Sequence, residues 1–344
     1  MASTMKAIAY SAYGGPEVTK LMELPLPTPR AGDVTVRVAA GSLNPVDKHQ
    51  RNGTFKALIP YSFPAIGGNE FSGVVTALGE GVDRFAVGDS VVCRTEKTAM
   101  RAFAEYTTMP AHLCAKAPTT MPLTDAAGLP LASVTAEQCL DLLEVKAGDR
   151  VLVTGGAGGV GLFAIQLAKL RGAHVTTTAS DAGKPFVEKA GADEVVNYKT
   201  TKLADMPQKW TKVLDAAGGD DAILNDVLPA VEDGGKIISI AGPQSPGCFD
   251  GVLSWWMKPV INLVIWARAR TVLNAAATRN ITYQWWFMVP NGDQLAKLVG
   301  YVDEGKLVVN IDSRFKMAEF KDAYERLESG RCKGKIVLEI GGNP

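Results

Sequence analysis

The chain has 344 residues, 47% hydrophobic and 21% charged, a balance that excludes a disordered polypeptide and supplies apolar material for about two domains. Lys plus Arg and Asp plus Glu each number 36, so a net charge of zero gives no general pull toward nucleic acid or an anionic membrane. From five scattered cysteines (Cys93, Cys114, Cys139, Cys248, Cys332), never spaced C-x-x-C, neither a disulfide framework nor a zinc knuckle can be read; free thiols in a reducing, cytoplasmic setting are expected.

The N-terminal MASTMKAIAY has neither an apolar h-region nor an Arg-rich leader, so no targeting signal is expected. The first 120 or so residues read as β-rich: MKAIAYSAYGG, DVTVRVAAGSLN, FSGVVTALGEGVDRF and DSVVCRT carry β-branched runs between glycine turns. A helical stretch follows, TDAAGLPLASVTAEQCLDLLEV. From residue 150, strands and helices alternate: VLVTG, GLFAIQLAKLRG, HVTTTAS, KPFVEKAG, EVVNY, KVLDAAG, DAILNDVLPAV and GKIISIAG. Such alternation needs crossover connections and predicts an α/β chain with a doubly wound parallel sheet.

The stretch 252–273, VLSWWMKPVINLVIWARARTVL, is broken by Lys258 and Pro259 and closed by Arg268 and Arg270, too charged for a spanning helix. It reads as a cap over a pocket or a partner surface, with peripheral membrane contact through its tryptophans left open. Beyond about residue 290 the pattern returns to helix (GDQLAKLVGYVDEG), strand, helix (EFKDAYERLES) and the terminal strand GKIVLEI. Two domains are expected, 1–127 with 290–344, enclosing 128–289.

Five glycines crowd positions 155–161 between the apolar strand VLVT and a helix. Gly156-x-Gly158-x-x-Gly161 in that setting is a dinucleotide fingerprint: one glycine for the turn, one for close approach of backbone to a diphosphate, and Gly161 for helix–strand packing. The helix start offers unpaired N–H groups and a partial positive charge to phosphate oxygens. An NAD site places an acid about 20 residues on to accept the ribose 2′-OH. Here the strand HVTTTAS ends on Ser180, with Lys184 in the next loop and Tyr198 after the following strand, a cradle for a 2′-phosphate that favours NADPH. Asp181 keeps NAD open, or could cap the 182–190 helix.

The ordered set YGGPEV, SLNPVD (42–47), GEGVDRFAVGD, AFAEY, LPLASVTA, GGAGGVGLFAIQLAK and GKIVLEI resembles the medium-chain dehydrogenase/reductase superfamily, in its zinc-independent quinone and enone oxidoreductase branch, nearly end to end. The resemblance implies a GroES-like barrel, a Rossmann domain, and a nicotinamide ring lying between them. By motif it implies that Asn44 and Thr135 contact the nicotinamide half, that Gly158, Gly159, Val160 and Gly161 hold the diphosphate, and that Ser180, Lys184, Tyr198 and Arg331 surround the 2′-phosphate. It further implies that the aromatic run YQWWFM (283–288) pairs across the two-fold axis of a homodimer; by composition and position, Trp255, Trp256 and Trp266 would then line or cap an apolar substrate entrance.

Zinc-dependent cousins carry a cysteine and a GHE histidine where this chain has Ser42 and Gly68-Asn69-Glu70; with three histidines in all, no metal is expected. Without a Lewis acid, hydride transfer suits a quinone or an α,β-unsaturated carbonyl, whose product anion is delocalised. Asn44, Lys48, His49 and Tyr61 are the candidate donors, with Lys48 displaced by one position from the family pattern. An enoyl-thioester reductase, or a cofactor-binding protein without catalysis (crystallin-like or nucleic-acid-binding), are the alternatives; the even charge speaks against nucleic acid.

Overall fold

The β-branched runs of the first third form strands in the computed structural model, which describes residues 4–341. In chain order these are β1 (Thr4–Tyr10), β2 (Thr19–Pro25), β3 (Asp33–Leu43), helix α1 (Pro45–Arg51), β4 (Ala65–Ile66), β5 (Glu70–Leu78), β6 (Ser90–Arg94), β7 (Tyr106–Pro110) and β8 (Cys114–Lys116). Two helices follow, α2 (Leu123–Ala126) and α3 (Pro130–Leu142). The single helical stretch expected over 124–145 is therefore split, because Pro130 cannot donate to the preceding turn and instead starts a new helix.

The alternating region gives β9 (Arg150–Thr154), α4 (Gly159–Leu170), β10 (His174–Ala179), α5 (Lys184–Lys189), β11 (Glu194–Asn197), β12 (Trp210–Asp215), α6 (Asp220–Ala222), β13 (Val231–Ser239), α7 (Lys258–Ala277) and β14 (Thr282–Trp285). The helix expected over DAILNDVLPAV is irregular: α6 passes into a π turn at Ile223–Val227 and a 3-10 turn at Leu228–Ala230, where Pro229 interrupts the hydrogen-bond ladder. The chain closes with α8 (Gly292–Asp303), β15 (Ile311–Lys316), α9 (Phe320–Glu328) and β16 (Lys335–Glu339).

Two compact units result, 1–134 with 289–344, and 135–288. The first boundary falls inside α3 rather than ahead of it at residue 127. The Leu131 N–H donates to the Glu70 carboxylate at 2.6 Å, which ties the first turn of α3 to the first unit.

The first unit holds a three-stranded sheet, β2-β1-β4, and a seven-stranded sheet ordered β15-β16-β3-β5-β6-β8, with β7 also paired to β3. Ile8, Val34, Val36, Val38, Phe71, Phe103, Met109 and Leu338 fill its core. In the second unit six parallel strands run β11-β10-β9-β12-β13-β14. Leu152, Trp210, Val213 and Ile237 pack on one side of it. The chain winds outward from β9 through β10 and β11, then returns to β12 and winds the other way. The carboxyl ends of β9 and β12 thus form the switch point where such sheets bind ligands. The α/β architecture, barrel-type unit plus doubly wound unit, is the one expected.

Candidate active site

In the second unit, Gly158 caps α4 in an extended conformation (φ −76°, ψ 172°), and Gly158, Gly159 and Val160 are half-buried, open to an approaching ligand. A helix start leaves its first N–H groups without intrahelical partners. Gly161 differs: it is buried, and a Cβ there would strike the Gly155 carbonyl and come within 2.7 Å of Gly156 Cα. That close fit is what lets α4 pack on β9. A Cβ on Gly156 would collide with the Thr177 hydroxyl, which donates to the Val153 carbonyl at 2.7 Å.

Beside this turn the Asp215 carboxylate, buried at the end of β12, accepts from Thr154 Oγ1 at 2.6 Å, Ser239 Oγ at 2.7 Å and the Gly218 N–H at 3.2 Å. Thr154 Oγ1 in turn accepts from the Ala216 N–H at 3.1 Å. One carboxylate therefore clamps three strand ends at the switch point. The motif reading missed it, although an acid closing an apolar strand before Ala-Ala-Gly-Gly was a usable signal.

Ser180 follows β10 and is buried, its carbonyl accepting from the Gly183 and Lys184 N–H groups. Lys184 starts α5, exposed, with its ammonium 3.8 Å from Glu188; Tyr198 follows β11 with 58% exposure. All three lie at carboxyl ends of neighbouring strands. Asp181 does not cap α5, whose cap residue is Gly183; it accepts from the Asn197 amide at 2.8 Å, an interaction set by sheet pairing rather than by the local sequence. Arg331 is exposed and belongs to the first unit, whereas buried Thr135 opens the second.

The first unit contains a buried polar network. Asn44 caps α1, its N–H donating to Asp47 at 2.7 Å. Its amide donates to Glu70 at 2.7 Å and to the Ser42 carbonyl at 3.1 Å, and its oxygen accepts from Lys335. Lys335 also pairs with Glu70 at 2.8 Å, with both side chains buried. Asn44 is thus buried with both amide hydrogens engaged, so its side chain positions Glu70 and Lys335 rather than presenting a free donor. Sequence reading missed Lys335, which lies in the quoted GKIVLEI, and gave Glu70 no role.

The network continues from Asp47 to the Asn69 amide at 2.6 Å, through Gln50, to Tyr61, whose hydroxyl oxygen accepts from Gln50 Nε2 at 2.9 Å. Along α1, Asp47, Gln50 and Arg51 point inward, while Lys48 is half-buried and His49 is exposed on the other side. The structure therefore joins Asn44 and Tyr61 in one network and leaves Lys48 and His49 outside it. Although the residue as a whole is exposed, its ring is partly shielded from water by neighbouring atoms, and this desolvation, with the adjacent Lys48 charge, holds the His49 imidazole below its ordinary range. Burial pushes the Tyr61 phenol up to about 12, so it stays protonated.

Burial, helped by the nearby Glu70 charge, pushes the Asp47 carboxyl from 3.8 up to about 6 against the hydrogen bonds that favour its ionised form. A raised carboxyl binds its proton more tightly in the folded state. The corresponding stability is present below pH about 4 and is lost as pH rises through about 6, roughly 3 kcal/mol in all. Urea unfolding across that window should show this decline for the native chain and a flatter profile for Asp47→Asn. Parallel profiles would contradict the assignment.

The profile of alcohol dehydrogenase GroES-like domains matches residues 30–119, and that of zinc-binding dehydrogenases matches residues 190–338. A chloroplastic quinone-oxidoreductase homolog of Spinacia oleracea is 32% identical over 98% of this chain and 99% of its own. A chloroplastic NADPH-dependent alkenal/one oxidoreductase of Arabidopsis thaliana is 32% identical over 97% of this chain and 79% of its own. Among solved structures, the quinone oxidoreductase from Coxiella burnetii superposes with a TM-score of 0.84 at 31% identity, covering 98% of this chain and 99% of that one. The chain belongs to the medium-chain dehydrogenase/reductase superfamily, in its quinone and enone oxidoreductase branch, and is an oxidoreductase with a nicotinamide-cofactor domain.

Proposed function

We propose that the protein reduces quinones or α,β-unsaturated carbonyls with NADPH, without a metal. The observation that carries this reading is the open glycine turn, Gly158 to Val160, at the start of α4 and at the sheet's switch point. Its accessible amides and the helix dipole suit a diphosphate. Ser180, Lys184 and Tyr198, at the neighbouring strand ends, suit a 2′-phosphate, and no carboxylate among them is free of an amide partner: Asp181 is held by Asn197.

When bound, the nicotinamide supplies a hydride. A quinone or enone that accepts it becomes a hydroquinone anion or an enolate, already stabilised by conjugation, so hydrogen-bond donors suffice. Tyr61 is the donor that the geometry of the first unit favours. Its oxygen already accepts from Gln50, which leaves the O–H to donate, and its high pKa keeps the proton in place. Lys48 and His49 stay as secondary candidates for the proton.

The residues at the family's zinc positions suit a metal poorly. Ser42 and Asn69 offer neutral oxygens, Asn69 is engaged by Asp47 and Gln50, and the Glu70 charge is met by Lys335. Among the described residues, no group of three or more His, Cys, Asp or Glu is placed to hold an ion. We further propose a homodimer formed through β14, the edge strand of the parallel sheet.

Cofactor oxidation measured with a naphthoquinone and with a short-chain enone tests the reading. The expected results are turnover with NADPH well above that with NADH, loss of that preference in Lys184→Ala, and at least about a tenfold fall in kcat in Tyr61→Phe. Turnover preferring NADH, or tight NADPH binding without oxidation by any conjugated acceptor, would overturn it.

A further inference from the structure

Helix α7 buries one face, Ile265, Ala269, Val272 and Ala276, and leaves the opposite one uncovered. Ahead of it, Trp255 is 83% and Trp256 63% exposed; on it, Val260 and Leu263 are more than 60% exposed, and Val264 and Trp266 nearly half. A protein of this size seldom shows water so contiguous an apolar surface unless that surface binds something. No helix among the described residues is long and apolar enough to cross a membrane.

Charge identifies the occupant. In a chain of zero net charge, residues 251–292 contain no Asp or Glu, while Lys258, Arg268, Arg270 and Arg279 fall within them. Arg279 is held by Asp233; Lys258, Arg268 and Arg270 have no carboxylate partner among the described residues. A symmetric contact with a second copy would bring this patch against itself, setting unpaired cations face to face. A flat, polyanionic surface with an apolar interior meets both the cations and the indoles. We propose that the outward face of α7, together with Trp255 and Trp256, docks the protein on an anionic lipid surface, the helix lying along the headgroup boundary.

Co-sedimentation of the full chain with vesicles of phosphatidylcholine alone, and of phosphatidylcholine mixed with phosphatidylglycerol, tests this directly. Binding is expected to the mixed vesicles only and to weaken as salt is raised. Arg268→Gln with Arg270→Gln should lower the partition coefficient roughly tenfold or more. Trp255→Ser with Trp256→Ser should lower it comparably, and both pairs should leave the thermal unfolding midpoint unchanged because the side chains are exposed. Wild-type protein left in the supernatant, equal binding to neutral vesicles, or undiminished binding by either double variant overturns the proposal. So does a dimer in light scattering that dissociates when the two tryptophans are replaced.

Discussion

Gly161→Ala is expected to lose dinucleotide binding and to destabilise the second unit by about 1–3 kcal/mol. Inside a helix, a glycine-to-alanine change ordinarily gains up to about 1 kcal/mol. Here the sign reverses, since the new methyl meets the backbone of Gly155 and Gly156 rather than a side chain that could turn aside. α4 would have to lift from β9, carrying its first N–H groups out of line. Gly158→Ala provides the contrast. The nearest atom to its added methyl is the Gly155 carbonyl oxygen at 3.3 Å, so the fold should survive within about 1 kcal/mol, judged by the ordinary spread of surface substitutions. On the proposed reading the methyl would nevertheless stand in the path of the diphosphate, and dinucleotide affinity should fall about tenfold or more. Thermal unfolding and fluorescence titration separate the two effects. Wild-type stability in Gly161→Ala, or wild-type affinity in Gly158→Ala, would refute the division of roles.

Lys335→Met is expected to cost the first unit about 3–5 kcal/mol, the magnitude found when one partner of a buried ion pair is removed. Glu70 would keep the Asn44 amide and the Leu131 N–H but lose the cation in direct contact with it, 2.8 Å away, leaving the Arg94 guanidinium across the strand pair to act at longer range. Adding Glu70→Gln should recover much of that loss, because the stranded charge disappears with it. Urea unfolding of the two variants reads this out; a double variant no more stable than Lys335→Met would mean that the lysine acts through packing alone. Because Glu70 also anchors the first turn of α3, amide exchange at Leu131 should speed up in Lys335→Met.

The cofactor turn was legible because its constraints are local. Gly156, Gly158 and Gly161 answer to a strand, a turn and a helix within a dozen consecutive residues, and no distant contact is needed to recognise them. The winding of the parallel sheet was legible for a similar reason, since each crossover leaves its own strand–helix period. Where a local signal competed with a neighbour in space, sequence reading went astray. Asp181 carries the mark of a helix cap, yet Asn197 from the adjacent strand claims it. DAILNDVLPAV has helical spacing, yet Pro229 breaks the ladder into π and 3-10 turns. Lys48 and His49 stand out by residue type and stay candidates, but the residues that the helical period turns into the buried network, Asp47, Gln50 and Arg51, carry no mark in the local sequence.

Sequence alone determined the two-part α/β architecture, the position of the glycine turn and the absence of the histidine and cysteine that zinc-dependent relatives carry, because each depends on residues adjacent in the chain. Only the tertiary structure decided that Asn44 is a buried brace, that Asp215 clamps three strand ends, and that Lys335 answers Glu70. Lys335 and Asn44 lie 291 positions apart. Nothing in the spacing of a lysine before IVLEI says which carboxylate it will face. That follows from burial: a charge shut away from water must find an opposite charge, and the folded sheet, not the order of the chain, brings the partner to it.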